Sequence, residues 1–308
     1  MQQVTLGKTG LGVSRLGVGL SEIGSELSFD DVQQAGNVLN NALDSGINFL
    51  DTSACYNISE ELIGRTIANR RDEYILATKA GHVTGGYQGE PWTYQTVADS
   101  IDRSLERMKT DHVDLVQLHS CGVDVLEKGD VIRALQEARD AGKTRFIGYS
   151  GDNAASHWAV DSGLFDTLQT SFNLADQHAR TTGLLEKAEQ NEIGVIIKRP
   201  IANGAWRVAR QAVSSGDLRA YASIYVERAT KMADLGDIPG EPDDQVLLSL
   251  GFTFHHPQVD VAIVGTKNPD HMKSNIRMVE DQLPVDAGVV EELQRRFEKL
   301  DDGWTQRT

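Results

Sequence analysis

Four proton-handling side chains stand at the ends of three short apolar runs: Asp51 and Tyr56 in INFLDTSACYN, Lys79 in YILATKAG, and His119 in VDLVQLHS. Together they suit acid–base chemistry at a carbonyl. A phenol has a pKa of about 10, so Tyr56 gives up its proton at neutral pH only if a neighbour stabilises the phenolate, as a Lys79 ammonium would. A partly buried ammonium stays charged beside a carboxylate, and Asp51 supplies one. His119 can orient a carbonyl oxygen beside the phenol or share its proton. Each residue alone has a structural explanation, since a Tyr after a strand packs and a strand-end Lys is usually a surface charge. All four at consecutive strand ends are far harder to attribute to packing.

The elements that would bring them together repeat along the chain as an amphipathic helix, a turn often holding glycine, and a short apolar strand. Asp31 to Asp44 places Val32, Ala35, Val38, Leu39 and Ala42 on one face, and Gly46 ends it before INFL (47 to 50). Thr93 to Met108 leads into VDLVQL, and Val131 to Asp140 passes Gly142 into RFIGYS. Leu184 to Gln190 passes Gly194 into VIIK, and Gln245 to Phe254 leads into VAIVG. With LGVG (16 to 19), YILAT (74 to 78) and FDTLQTS (165 to 171), the pattern predicts eight buried parallel strands and a closed (β/α)8 TIM barrel over residues 1–308 as one domain. A doubly wound dinucleotide fold would need a G-x-G-x-x-G turn, and GVGLSEIG has the wrong spacing.

Two segments stand outside the repeat. QVTLGKTGLGVSRLGVG reads as an N-terminal β-hairpin closing the barrel's bottom, and its GKT lacks the upstream glycine of a phosphate-binding loop. After the seventh strand, Ile201 to Asp244 is too long for a plain connection, with a helical pattern from Ala205 to Leu235 and a turn at Pro239–Pro242.

Composition narrows the partners. The 308 residues, 40% hydrophobic and 24% charged, carry a formal net charge of −15, which argues against nucleic acid or an anionic membrane as main partner. No basic segment leading into an apolar one opens the chain, and no run of about 18 apolar residues occurs, so the expectation is a cytoplasmic protein. Two cysteines, Cys55 and Cys121, make no disulfide framework; they are small fillers near the site rim or, on a sharper reading, thiols whose oxidation would disturb Tyr56 or His119.

With INFLDTSACYNISEELIG, ILATKAG, DLVQLHS, IGYS, LQTSFN and IVGTKNPDHMKSN in place, the chain resembles the aldo-keto reductase superfamily along essentially its whole length. The resemblance implies hydride transfer between NAD(P)H and a small carbonyl or alcohol substrate, such as an aldehyde, ketone or sugar, without metal or flavin. It also implies Tyr56 as general acid, Lys79 and Asp51 as its tuning pair, and His119 as the orienting group. For the cofactor it implies Gly19, Ser21, Ser150 and Gln169 near the nicotinamide, then Lys198, Arg199, Pro200, Ile201, Asn203 and Gly204 toward the pyrophosphate, and Gly265, Thr266, Lys267, His271 and Asn275 at the adenosine end. Backbone donors at a helix start, with Thr266 and Lys267, suit a 2′-phosphate, so NADP is expected ahead of NAD.

The chain departs from the family at several points. The family commonly has Asn after the serine where this chain has Gly151, and many members have an aromatic ring where it has Lys198. Either the Lys198 stem or a ring such as Phe172 or Trp206 would then cover the nicotinamide. Asn173 reads as a loop brace. Ile23, Tyr87, Trp92, Trp206 and Trp304 are the candidate substrate walls. The alternative readings are a regulatory subunit that binds NADPH with little turnover, and a barrel hydrolase or isomerase using Asp51 and His119.

Overall fold

The computed structural model describes residues 1–211 and 222–306. A two-stranded antiparallel hairpin, β1 (Gln3–Thr5) and β2 (Gly12–Ser14), precedes eight strands: β3 (Leu16–Gly19), β4 (Phe49–Asp51), β5 (Ile75–Ala80), β6 (Val113–His119), β7 (Thr144–Ser150), β8 (Thr167–Ser171), β9 (Gly194–Lys198) and β10 (Val261–Gly265). These eight close into a barrel in sequence order, β10 pairing back onto β3, and every neighbouring pair is parallel. Strands buried on both faces read as unbroken apolar runs, which is why they were visible without alternation.

Leu6, Leu11 and Val13 of the hairpin region pack with Phe49, Ile75, Leu115, Ile196 and Val261 to fill the barrel's lower end. The approach is close: a Cβ on Gly7, whose φ is +45°, would lie 2.2 Å from the Gly194 nitrogen. Between strands and outer helices lies the larger core, which includes Val38, Leu39, Ile63, Val97, Ile101, Leu135 and Leu248. Helix ends follow local chemistry. Thr93 caps Tyr94–Met108, and the Asp244 carboxylate accepts the Val246 and Leu247 amides at the start of Gln245–Phe254.

The expected helical stretch after the seventh strand contains the helices Ala205–Gln211 and Ser223–Ala233; the part over 212–221 lies outside the described residues. No helix among the described residues is long and apolar enough to cross a membrane.

Pairing register brings the strand ends level. Gly19 is opposite Asp51, Asp51 opposite Ala77, Lys79 opposite Gln117, His119 opposite Ser150, Ser150 opposite Gln169, and Ser171 opposite Lys198. Residues scattered from 19 to 198 thereby share the C-terminal rim, where parallel barrels hold their chemistry.

Candidate active site

The loop after β4 is fastened from several sides. Thr52 donates its amide to Ala77 O (2.9 Å), its hydroxyl lies 2.7 Å from that of Ser59, and Tyr56 N–H bonds Ser53 O at 3.0 Å. Beneath it, buried Glu60 accepts from Thr78 Oγ1 (2.8 Å) and pairs with Arg107 (3.3 Å). Helix Ser21–Glu26 presses on the loop at Gly24, where a Cβ would stand 2.0 Å from Tyr56 O.

Lys79 Nζ donates to Asp51 Oδ2 at 2.6 Å and to Thr52 O at 2.9 Å, and lies 4.8 Å from the centre of the Tyr56 ring. Burial disfavours charge on Lys79, but Asp51 and Tyr56 more than offset it and hold its pKa above the ordinary value. Burial also raises the Tyr56 phenol; Lys79 pulls against that and Asp51 adds to it, so the group is a neutral donor at pH 7. Burial, then the positive field of Lys79 and other cations, keeps His119 well below 6.5 and hence neutral. Its ring stands edge-on to Tyr56, 5.9 Å between centres.

The tautomer of His119 follows from counting hydrogens. Nδ1 lies 3.3 Å from Ser53 Oγ and 3.4 Å from Cys55 Sγ, and Ser53 Oγ already accepts the Cys55 amide. If Nδ1 accepts, the hydroxyl donates to it and the thiol donates to Oγ or Nδ1. If Nδ1 carried the proton, three hydrogens would share the one lone pair left on Oγ and the Sγ acceptor, and one of them would have to point out of the triad. Nε2–H is therefore the tautomer that satisfies the cluster.

One cavity of about 980 Å³ runs across the rim from Tyr56, His119 and Trp92 past Ser150 and Lys198 to Gly19, Ser21 and Gly265. Arg199, Pro200, Ile201, Asn203, Gly204 and Trp206 line its middle. Arg199, Ala202, Asn203 and Gly204 all have positive φ, an unusual density of left-handed backbone beside two cations, which suits an anionic group such as a diphosphate. Lys198 is held by Asp152 at 2.9 Å. Burial lowers the pKa of Lys198 against that pairing, and buried Asp152 is nonetheless kept low by Lys198 and the Ser171 amide. The dimensions and donors fit a nicotinamide dinucleotide.

Several residues expected at the cofactor are not among those lining the cavity. Gln169 lies within the wall, accepting from Ser150 Oγ (2.8 Å) and donating to Asp51 Oδ1 (2.8 Å). Thr266 accepts the Asn268 amide at 3.0 Å; Lys267 pairs with Glu26 at 2.9 Å; neither these nor His271 nor Asn275 lines the cavity. Of the proposed walls, Trp92 and Trp206 line it, whereas Ile23 is buried in the core, and Tyr87 donates to Asp99 under the Arg103 guanidinium. Trp304 packs on Phe297 with Arg228 over its ring. Phe172 is also excluded from the cavity lining, being buried against Phe252 and His256.

Asn173 does brace the loop, donating to Arg199 O at 3.1 Å. Gly151 is explained by space: a Cβ there would meet the Tyr149 hydroxyl at 2.3 Å. Burial pushes the Cys55 thiol up and the Cys121 thiol to about 12, which leaves little thiolate to oxidise at neutral pH.

Sequence reasoning missed Glu22, Glu26, His82, Arg207, Asp243 and Asp244, all of which line the cavity. His82 follows Lys79 by three residues, so its position just beyond a strand end was the one available signal.

Known proteins match this architecture. The chain is 29% identical to an uncharacterised oxidoreductase of Bacillus subtilis, YqkF, over 90% of each. It is 27% identical to L-galactose dehydrogenase of Arabidopsis thaliana, over 96% of this chain and 94% of that protein. An aldo-keto reductase from Bacillus halodurans, solved in its holo form, shares the fold with a TM-score of 0.77 at 24% identity, covering 96% of both chains. Residues 15–294 match the Aldo/keto reductase family, and with the barrel and rim cavity described above the chain belongs to that family of NAD(P)H-dependent oxidoreductases.

Proposed function

We propose that this barrel, acting as one unit over residues 1–308, reduces a small carbonyl compound or oxidises the corresponding alcohol, with Tyr56 as the proton donor and acceptor. The observation that carries this reading is the buried Lys79–Asp51 pair directly beneath the Tyr56 ring, beside a neutral His119, in the wall of a dinucleotide-sized cavity. A bound nicotinamide supplies the hydride that adds to the carbonyl carbon. His119 Nε2–H orients the carbonyl oxygen, Tyr56 O–H delivers the proton to that oxygen, and the Lys79 ammonium stabilises the phenolate left behind. Asp51 keeps Lys79 charged. Lys198, Arg199 and the left-handed backbone to Gly204 would hold the diphosphate, and Ser150 the carboxamide.

For the adenosine end, the Lys267–Glu26 pair favours NAD over the expected NADP. Glu26 foremost, with Glu22 and Asp31, acts on Lys267, so the cation that the sequence offered for a 2′-phosphate already has a carboxylate partner. Glu22 and Glu26 both line the cavity, and a carboxylate there suits a ribose diol better than a phosphate.

The test has two parts. Turnover of NADH and NADPH is followed on a panel of aldehydes, ketones and sugars, where Tyr56→Phe should lower kcat by about 10²–10⁴-fold. Nicotinamide fluorescence titration gives the dissociation constants: binding retained in Tyr56→Phe and tighter for NADH than NADPH is expected. Tight binding with no wild-type turnover would instead support a regulatory subunit, and no binding at all a hydrolase or isomerase.

A further inference from the structure

His82 lies three residues beyond Lys79, half-buried in the cavity wall. Its ring stands edge-on to His119 (4.7 Å between centres, 88°) and tilted against Trp92 (5.1 Å, 61°). Nearby polar atoms are mostly spoken for. Trp92 Nε1 donates to His119 O at 3.0 Å, His119 Nδ1 faces Ser53 and Cys55, and Lys198 is on Asp152. His82 makes no hydrogen bond or ion pair among the described residues. A polar ring this close to the acid end, held on its apolar edges only, leaves its nitrogens to a ligand.

Position and chemistry narrow what that ligand group is. On the proposed function, on which this inference rests, the reacting oxygen lies between Tyr56 and His119. A neighbouring imidazole then faces the substituent on the adjoining carbon. We infer that His82 reads a hydroxyl on the carbon next to the reacting carbonyl, making 2-hydroxy aldehydes and 2-hydroxy ketones, and in reverse vicinal diols, the preferred substrates. Burial lowers the pKa of His82, so it is a neutral donor and acceptor, matched to a hydroxyl, which is both, rather than to an anion. Trp92, its N–H already used, adds an apolar face for the C–H side of such a substrate. It is held in place by Gly81, where a Cβ would meet the indole at 2.7 Å.

The experiment compares lactaldehyde with propanal, which differ only in the hydroxyl on the second carbon. In wild type the ratio of their kcat/KM values should favour lactaldehyde, and in His82→Leu that ratio should fall by about 10- to 100-fold. Taking the ratio between variants cancels aldehyde hydration and any general loss of activity. His82→Gln, a neutral donor and acceptor, should recover part of the preference. A ratio unchanged in His82→Leu overturns the assignment, as does a wild type that prefers glyoxylate, an anionic aldehyde, over lactaldehyde. A wild type that turns over none of these and none of the wider carbonyl and sugar panel with either nicotinamide overturns both this inference and the proposed function, whereas turnover without a His82-dependent ratio overturns the inference alone.

Discussion

Replacing Asp51 by Asn tests the electrostatic centre of the barrel. The carboxylate accepts three side-chain donors: Lys79 at 2.6 Å and, at its other oxygen, Gln169 at 2.8 Å and Gln117 at 3.3 Å. Asn offers a single acceptor oxygen and presents an NH₂ to another donor, while Lys79, whose side chain is 1% exposed, loses its counter-charge. Breaking a buried pair from one side costs about 3–5 kcal/mol, a large share of a typical total of about 5–15 kcal/mol. The pH dependence is also set. In wild type the raised Lys79 pKa contributes stability that is fully present below its unfolded value and lost as pH rises through the folded one. In the variant burial acts on Lys79 without Asp51, its pKa falls, and the residue destabilises most below that lowered value; between it and the unfolded value, where the unfolded chain holds a proton that the folded one does not, the cost shrinks as pH rises. Urea unfolding of both proteins should therefore show a gap of about 3–5 kcal/mol at pH 7.5 that narrows toward pH 11. A gap under about 1 kcal/mol, or one independent of pH, would refute the reasoning.

Three further outcomes follow from other parts of the structure. Gly24→Ala inserts a Cβ 2.0 Å from Tyr56 O and should cost about 1–3 kcal/mol while lowering kcat; equal stability by denaturation with intact kcat would contradict that contact. Ser53→Ala should leave wild-type Nε2–H His119 as a tautomer mixture in nitrogen-15 spectra, and kcat should fall more than KM changes; a wild-type spectrum with the proton on Nδ1 would reject the hydrogen count. Asp260, which accepts the Val195 amide at 2.9 Å, is pushed by burial to about 6. Its folded value exceeds its unfolded one, so it costs stability as pH rises through roughly 4 to 6, and Asp260→Asn should gain about 1–2 kcal/mol at pH 7.5 and less at pH 4. The same gain at both values would count against the assignment.

Much of the fold was legible because buried parallel strands announce themselves. VDLVQL became part of Val113–His119, and Leu184–Gln190 and Gln245–Phe254 appeared with the expected limits. INFL shifted to Phe49–Asp51 because Asn48 is taken by the hairpin, its side chain accepting the Ser14 amide and donating to Gly12 O. The tetrad was legible for a similar reason: its members end strands that lie side by side, so position in sequence translates directly into position on the rim.

Sequence alone thus determined the strand count, the barrel and which ionisable side chains end neighbouring strands, since these follow from local periodicity and from residue type. Tertiary structure decided which polar groups face the cavity. Lys267, expected at a phosphate, is paired with Glu26 from the other end of the chain. Gln169 bonds Ser150 and Asp51, and Trp304 is packed under Arg228. His82, three residues past Lys79, became notable only through the partners it lacks. Such pairings depend on contacts between residues far apart in the chain, which no period or motif encodes, and each buried donor takes whichever acceptor the fold brings within reach.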